Sequence, residues 1–221
     1  MYRLAALIVL LLPACAPAQW VNLFNGKNLD GWEPIGDGVW TVLRDGTLTG
    51  QRDVVKNRAE LCWTREQYDR WMYHQAWLYT RKDFDEFDLH LEYWLRWGGN
   101  SGVSIRDSSR ARVAADPSFG KTPSHIGYEI QIANHCGDNY PTGSVYLFAK
   151  AKTGYQVDDD WNALDIEVRR GLIRVKLNGE PVAESAGDPS RPKTGPIGLQ
   201  LHDQNSVAMF RNIRIREIPP K

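Results

Sequence analysis

In the string Gly127-Tyr128-Glu129-Ile130-Gln131-Ile132-Ala133-Asn134, a carboxylate able to move protons stands two residues from an amide able to hold a hydroxyl. Side chains of an extended chain alternate with period two, so Glu129 and Gln131 share one face while Tyr128, Ile130 and Ile132 share the other. Two other short stretches read the same way. Asn100, Ser104 and Arg106 alternate with Ser101, Val103 and Ile105, and Gly198, Gln200 and His202 alternate with Ile197, Leu199 and Leu201. If the three lie in one sheet, a carboxylate, several amides, an arginine and a histidine converge on one polar face, which is the candidate site. The plain alternative, equally consistent with alternation alone, is a solvated outer sheet face.

The chain that must position these residues has 221 of them, a length that suits one sandwich domain. Lys plus Arg and Asp plus Glu both number 27, which argues against nucleic acid or an anionic membrane as a partner held by general charge. Nine Trp and nine Tyr are many for this length; such rings fill a core or stack on sugars. Residues 1–18 read as a secretory signal peptide, with Arg3, an apolar run from Leu4 to Leu12, and the small-x-small end Ala16-Pro17-Ala18. The expectation is export to the periplasm or beyond, with residues 19–221 as a single domain. The apolar run falls short of the ~20 residues a spanning helix needs, and no other stretch competes. Leu12-Pro13-Ala14-Cys15 also has the outline of a bacterial lipoprotein signal that would anchor the protein through Cys15, although Pro13 fits it poorly. Cys62 and Cys136 then remain, either as a bridge or as two separate thiols.

Along the mature chain the pattern is strand and turn. Phe24, Leu29 and Trp32 pin a looped opening segment, and Arg44-Asp45-Gly46 joins two short strands as a hairpin. Residues 51–75 break the rhythm: Thr64-Arg65-Glu66-Gln67 has the form of a capping box before Tyr68, Trp71 and Met72 at helical spacing. The spacing predicts a short helix packed on the sandwich, either lining the site or ornamenting the outer sheet. From Phe87 to Trp97 runs the strongest strand, in which His90 reads as a solvated residue. Gly98-Gly99-Asn100-Ser101-Gly102 is a tight turn, since no helix follows it to cradle phosphate. Residues 107–124 form a long polar loop and a candidate wall for the site. Asn134, His135, Cys136 and Asp138 lack the spacing of a tetrahedral metal site. Hairpins across Arg170-Gly171 and Asn178-Gly179, then strands at Ile197 to His202 and Val207 to Ile218, complete about a dozen strands. The predicted fold is all-β, a two-sheet antiparallel jelly-roll sandwich with one short helical insertion.

Seven short motifs in order, among them Leu23-Phe24-Asn25-Gly26, Gly99-Asn100-Ser101-Gly102-Val103, Gly127 to Ile132, Pro141 to Tyr146, Gly195-Pro196-Ile197-Gly198-Leu199-Gln200 and Phe210 to Ile215, resemble the 3-keto-disaccharide hydrolase domain family. The resemblance implies a concanavalin A-like jelly roll, export, and cleavage of glycosides already oxidised to a ketone at carbon 3. It places Glu129 and Gln131 at the family's Glu-x-Gln position. Two departures stand out: the longer insertion at residues 51–75, and Leu201-His202-Asp203 where the family often has His-Gly. A ketone at carbon 3 acidifies the hydrogen on carbon 2, so the chemistry needs a base, an acid and an enolate stabiliser. Glu129 and His202 divide the acid and base roles in this reading, Arg106 or a bound divalent cation stabilises the enolate, and Asn100, Gln131, Tyr146 and Gln200 hold the carbohydrate. Gln131 stands where an ordinary retaining glycosidase would need a second carboxylate ~5–5.5 Å from the first. A non-catalytic carbohydrate-binding module of the same fold is the alternative.

Overall fold

The structure is a computed structural model and describes residues 18–53, 64–111, 122–134 and 139–219. Its strands in chain order are β1 (Val21–Asn22), β2 (Trp32–Ile35), β3 (Gly38–Val42), β4 (Leu48–Arg52), β5 (Ala76–Thr80), β6 (Phe87–Leu95), β7 (Asn100–Ile105), β8 (Tyr128–Ala133), β9 (Asn162–Arg169), β10 (Leu172–Leu177), β11 (Glu180–Ser185), β12 (Ile197–Leu201) and β13 (Val207–Glu217). Among the described residues two helices interrupt them, α1 (Arg65–His74) before β5 and α2 (Pro123–Ile126) before β8. All pairings are antiparallel, in an eight-stranded sheet ordered β11-β10-β9-β6-β13-β4-β3 with β1 also on β13, and a five-stranded sheet ordered β2-β5-β12-β7-β8. The all-β antiparallel sandwich expected of the sequence is the architecture observed.

Period two builds the layers. Along β6, Phe87, Leu89, Leu91, Tyr93 and Leu95 are buried, while the residues between them are half-buried on the outer face. They meet Val103, Ile105, Ile130, Ile132, Leu199 and Leu201 of the smaller sheet in one core. Burying each such side chain contributes about 1.5–3 kcal/mol, and cutting Ile130 back to Ala should cost about 2–5 kcal/mol. The turn chemistry is local: Gly46 and Gly171 adopt φ of 86° and 71°, and Asn178-Gly179 has φ of 52° and 87°, the left-handed pair a two-residue hairpin requires. His90 lies on the outer face of β6, its Nδ1 2.7 Å from Asp165 Oδ1.

The ladder of the five-stranded sheet fixes what lies beside what. Ser104 pairs with Glu129 and Gly102 with Gln131 between β7 and β8; Gly198 pairs with Ser104 on one side and Tyr79 on the other; Gln200 pairs with Trp77. Tyr79, Gly198, Ser104 and Glu129 therefore form one row across the sheet on the face away from the core.

Candidate active site

On that face lies a hollow of about 230 Å³. The sheet supplies Glu129 and Gln131 from β8, Asn100 from β7 and Gln200 from β12, with His202 just beyond the strand's end. Tyr146 comes from a segment that runs beside β8, where its backbone N–H donates to the Glu129 carbonyl at 2.9 Å and Val145 bridges Ile130. Six of the seven residues singled out in the sequence thus share one cleft. Arg106 does not. It follows the last ladder residue of β7 and takes φ of 61°, which ends the alternation and turns its side chain off the shared face. Its guanidinium donates instead to the carbonyls of Asp85 at 3.1 Å and Arg169 at 3.3 Å, next to the eight-stranded sheet. Burial pulls its pKa down.

Two glycines hollow the floor. A Cβ at Gly102 would stand 2.6 Å from Glu129 Oε1, so the carboxylate lies across the bare backbone of its cross-strand neighbour row. A Cβ at Gly198 would stand 2.4 Å from the Tyr79 ring. Tyr79 stacks on Trp77 with centroids 5.5 Å apart, and its hydroxyl donates to Asp107 at 2.7 Å. Burial, then the nearby Asp107 carboxylate, hold the Tyr79 phenol well above its usual pKa, so it stays a neutral donor.

Three of the amides that line the hollow carry polar atoms without a partner among the described residues. Of nine buried side-chain polar atoms without a hydrogen bond among the described residues, four belong to cleft amides: Gln75 Oε1, Asn100 Oδ1, and both Oε1 and Nε2 of Gln200. Each such atom costs about 1–3 kcal/mol when left unpaired. A concentration of this kind points to a ligand bearing many hydroxyls.

His202 is held from three sides. Its backbone N–H meets Ser206 Oγ at 3.2 Å, its carbonyl accepts from Arg52 at 2.9 Å, and its Nδ1 lies 3.3 Å from Asp203 Oδ2. The Asn205 N–H donates to the other Asp203 oxygen at 2.8 Å. Burial pushes the Asp203 carboxyl up, but the hydrogen bonds from His202, Asn205 and Ser206 outweigh it and the net shift is downward. Asp203 thereby engages the Nδ1 side of the ring.

Sequence reasoning left open whether the insertion lines the site or ornaments the outer sheet, and the structure brings it to the site. The insertion's helix α1 has the expected capping box, Thr64 with Gln67, and its C-terminal end brings Met72, Tyr73 and Gln75 to the cleft. Arg52, buried in β4, donates to Asp37, to the Trp71 carbonyl and to the His202 carbonyl, and lies 4.0 Å over the Trp71 ring. Trp71 Nε1 donates to Asp37 at 2.7 Å. The long loop contributes a wall, as its polar length suggested, through Thr122 and Ser124 at the start of α2. The capping box was the one legible signal for the roof; nothing local marks Gln75. Cys15, Cys62, His135, Cys136 and Asp138 lie outside the described residues. No group of three or more His, Cys, Asp or Glu among the described residues is placed to hold a metal ion.

Matching against domain families aligns residues 19–216 with the 3-keto-alpha-glucoside-1,2-lyase-like domain. The chain belongs to this family. Among solved structures, a proposed glycosyl hydrolase from Parabacteroides distasonis ATCC 8503 is similar at 25% identity and a TM-score of 0.67, over 90% of this chain and 100% of that one. A second such protein from the same organism matches at 20% identity and a TM-score of 0.65, over 90% and 94%. The carbohydrate binding module CBM66 from Bacillus subtilis shares the fold at 14% identity and a TM-score of 0.54, over 85% and 96%. A comparison with curated proteins gives no match. For this family member, Glu129 and Gln131 lie side by side in the cleft, and His202 with Asp203 closes one end.

A larger hollow of about 810 Å³ lies on the outer face of the eight-stranded sheet. Many of its charges are mutually paired: Asp88 accepts from Arg169 and Arg216, and Arg174 bonds Glu184. None of its lining residues carries a buried unpartnered polar atom, so size there does not indicate a ligand.

Proposed function

We propose that this protein cleaves glycosides that carry a ketone at carbon 3. The base removes the hydrogen on carbon 2, the bond from carbon 1 to the glycosidic oxygen breaks, and the acid protonates the departing oxygen. Water then adds across the resulting double bond, hydroxyl to carbon 1 and proton to carbon 2, so the ketone is retained and no redox partner is needed. The observation that carries this reading is the company of one carboxylate, Glu129, and one imidazole, His202, in a cleft otherwise lined by amides and hydroxyl-bearing or apolar side chains. Glu129 and His202 share the proton transfers, each worth ~10²–10⁴-fold in rate. With Arg106 turned away, Gln200 takes over the developing enolate: its fully buried Nε2 has no partner among the described residues, and a fixed donor there is worth ~10²–10³-fold. Asn100, Gln131 and Tyr146 hold sugar hydroxyls. Membership of the family supports the substrate class, and the similarity to a proposed glycosyl hydrolase supports action on a glycosidic bond. Ordinary double-displacement hydrolysis finds no second carboxylate among the described cleft residues, since Gln131 occupies that place.

The test is incubation with a 3-keto-disaccharide and with its unoxidised parent. Release of free sugar from the first alone is expected; binding of the ketone form without release would make the protein a carbohydrate-binding module. The same proposal places the enzyme outside the cytoplasm after loss of residues 1–18. The mass of the secreted protein decides that point, and a lipid on Cys15 would instead assign it to the membrane surface.

A further inference from the structure

We infer that Gln75, carried by the helical insertion, is a substrate-binding residue that reads a hydroxyl of a single terminal sugar ring, so that the insertion sets specificity for short or chain-end 3-keto-glycosides. The inference rests on the cleft being the glycoside site proposed above.

Three observations meet at Gln75. Its side chain lines the cleft and the residue is only 4% exposed, yet its Oε1 has no partner among the described residues. Its backbone takes φ of 53° and ψ of 178°, a combination that glycine adopts freely and a side chain resists. A chain that needed only to reverse at the end of α1 would use glycine there. Glutamine in a conformation suited to glycine, with a buried head unpaired by protein, is retained for what that head can bind. An Oε1 acceptor calls for a hydroxyl donor, and sugar hydroxyls are the donors a cleft lined by amides selects.

The roof carrying Gln75 is fixed. Gln75 N–H caps the helix on the Met72 carbonyl at 3.1 Å, and Trp71 is clamped by Asp37 and Arg52. Because Arg52 also holds the His202 carbonyl, one buried guanidinium sets the offset between roof and imidazole. Gly36 takes φ of 85° beneath this corner, and a Cβ on it would stand 2.8 Å from the Gln75 carbonyl oxygen. At about 230 Å³ the hollow is smaller than the ~300–1,000 Å³ of pockets that enclose drug-sized ligands, so one pyranose ring fills it and the leaving group must lie outside. Internal residues of a polymer, with chain on both sides, are therefore expected to be poorer substrates where Met72, Tyr73 and Gln75 line the cleft.

The experiment compares wild type with Gln75→Gly and Gln75→Met on 3-keto-glucosides lacking the hydroxyl at carbon 4 or at carbon 6. Wild type should lose about tenfold in kcat/KM on one deoxy substrate, and both variants should lose about tenfold on the parent and no longer discriminate that deoxy analogue. Their melting temperatures should equal or exceed that of wild type, because each removes an unpaired amide and the glycine also relieves the backbone. Retention of full kcat/KM with unchanged discrimination, or a sharp fall in melting temperature in both variants, overturns the inference by making the amide dispensable or structural. Equal rates on chain-end and internal 3-keto units overturn the size restriction. If wild type cleaves no 3-keto-glycoside, the cleavage reading falls by itself, and calorimetric titration of 3-keto-glucose into wild type and Gln75→Met still decides the role of Gln75.

Discussion

One methyl group added at Gly102 should displace the Glu129 carboxylate and remove most of the activity. The new Cβ would stand 2.6 Å from Oε1, 2.9 Å from Cγ and 3.0 Å from Cδ of Glu129, against an ordinary contact of 3.4 Å or more. The backbone at Gly102 is extended and accepts alanine, so the nearest conflict is with the Glu129 side chain. Restoring normal contact moves the carboxylate by something approaching ~1 Å, a misplacement worth ~10²-fold in rate, or about 2.7 kcal/mol of barrier. Overpacking should cost about 1–3 kcal/mol of stability, and each kcal/mol lowers the melting temperature by about 2–4 °C at this chain length. The assay is sugar release from a 3-keto-disaccharide beside thermal unfolding, with Glu129→Gln as companion. That variant keeps the shape, loses the titratable group, and should lose ~10²–10⁴-fold with little change in melting temperature. Because both changes act through one carboxylate, the double variant should be no slower than Glu129→Gln alone. A folded Gly102→Ala protein with full kcat would refute the placement of Glu129 at the reacting carbon.

Arg106→Met should leave kcat unchanged while lowering the melting temperature, since among the described residues the guanidinium bonds only the Asp85 and Arg169 carbonyls; a loss of kcat in the folded variant would return Arg106 to the mechanism. Arg52→Met strips partners from Asp37, Trp71 and His202 together and should destabilise by about 3–5 kcal/mol, read by denaturant unfolding; a change under about 1 kcal/mol would show that the clamp holds nothing. For Asp203 the sign follows from its depressed folded-state pKa: its stabilisation is complete above the unfolded value of about 3.9 and disappears as pH falls through the lower folded value. The melting-temperature gap between wild type and Asp203→Asn should therefore be full at neutral pH and close in acid. A gap that widens on acidification contradicts the assignment.

Parity made most of the cleft legible. Glu129, Gln131, Asn100 and Gln200 sit inside regular ladders, where one oily neighbour decides which way the next side chain points. Arg106 was misread because parity lasts only as long as the strand. At Asp107 the chain already enters a turn, its carboxylate accepting from the backbone N–H of Ser109 and Ala111, and the residue before it pays with a left-handed φ. The roof was illegible for another reason. A capping box announces a helix, but where the helix docks depends on Arg52 and Asp37, well before it in the chain, and on the hydrogen bond from Trp71 to Asp37. Gln75 occupies a position where local rules expect glycine or asparagine, and side-chain identity alone carries no sign of its conformation.

Both sheets present a polar outer face, and alternation alone cannot rank them. On the eight-stranded sheet, acid stands opposite base: Asp88 with Arg169 and Arg216, Glu92 with Arg211, Asp165 with His90. Partly exposed pairs of this kind contribute little individually, yet they occupy much of the charge that a ligand would otherwise meet there. On the five-stranded sheet the charges are few and the amides many. The four cleft atoms without a partner among the described residues are joined on the same face by Trp77 Nε1. A face whose groups satisfy one another is finished by folding. On the smaller hollow, lined also by Glu129 and His202, Gln75, Asn100 and Gln200 keep atoms without a partner among the described residues, and these are the groups that the proposed carbohydrate would satisfy.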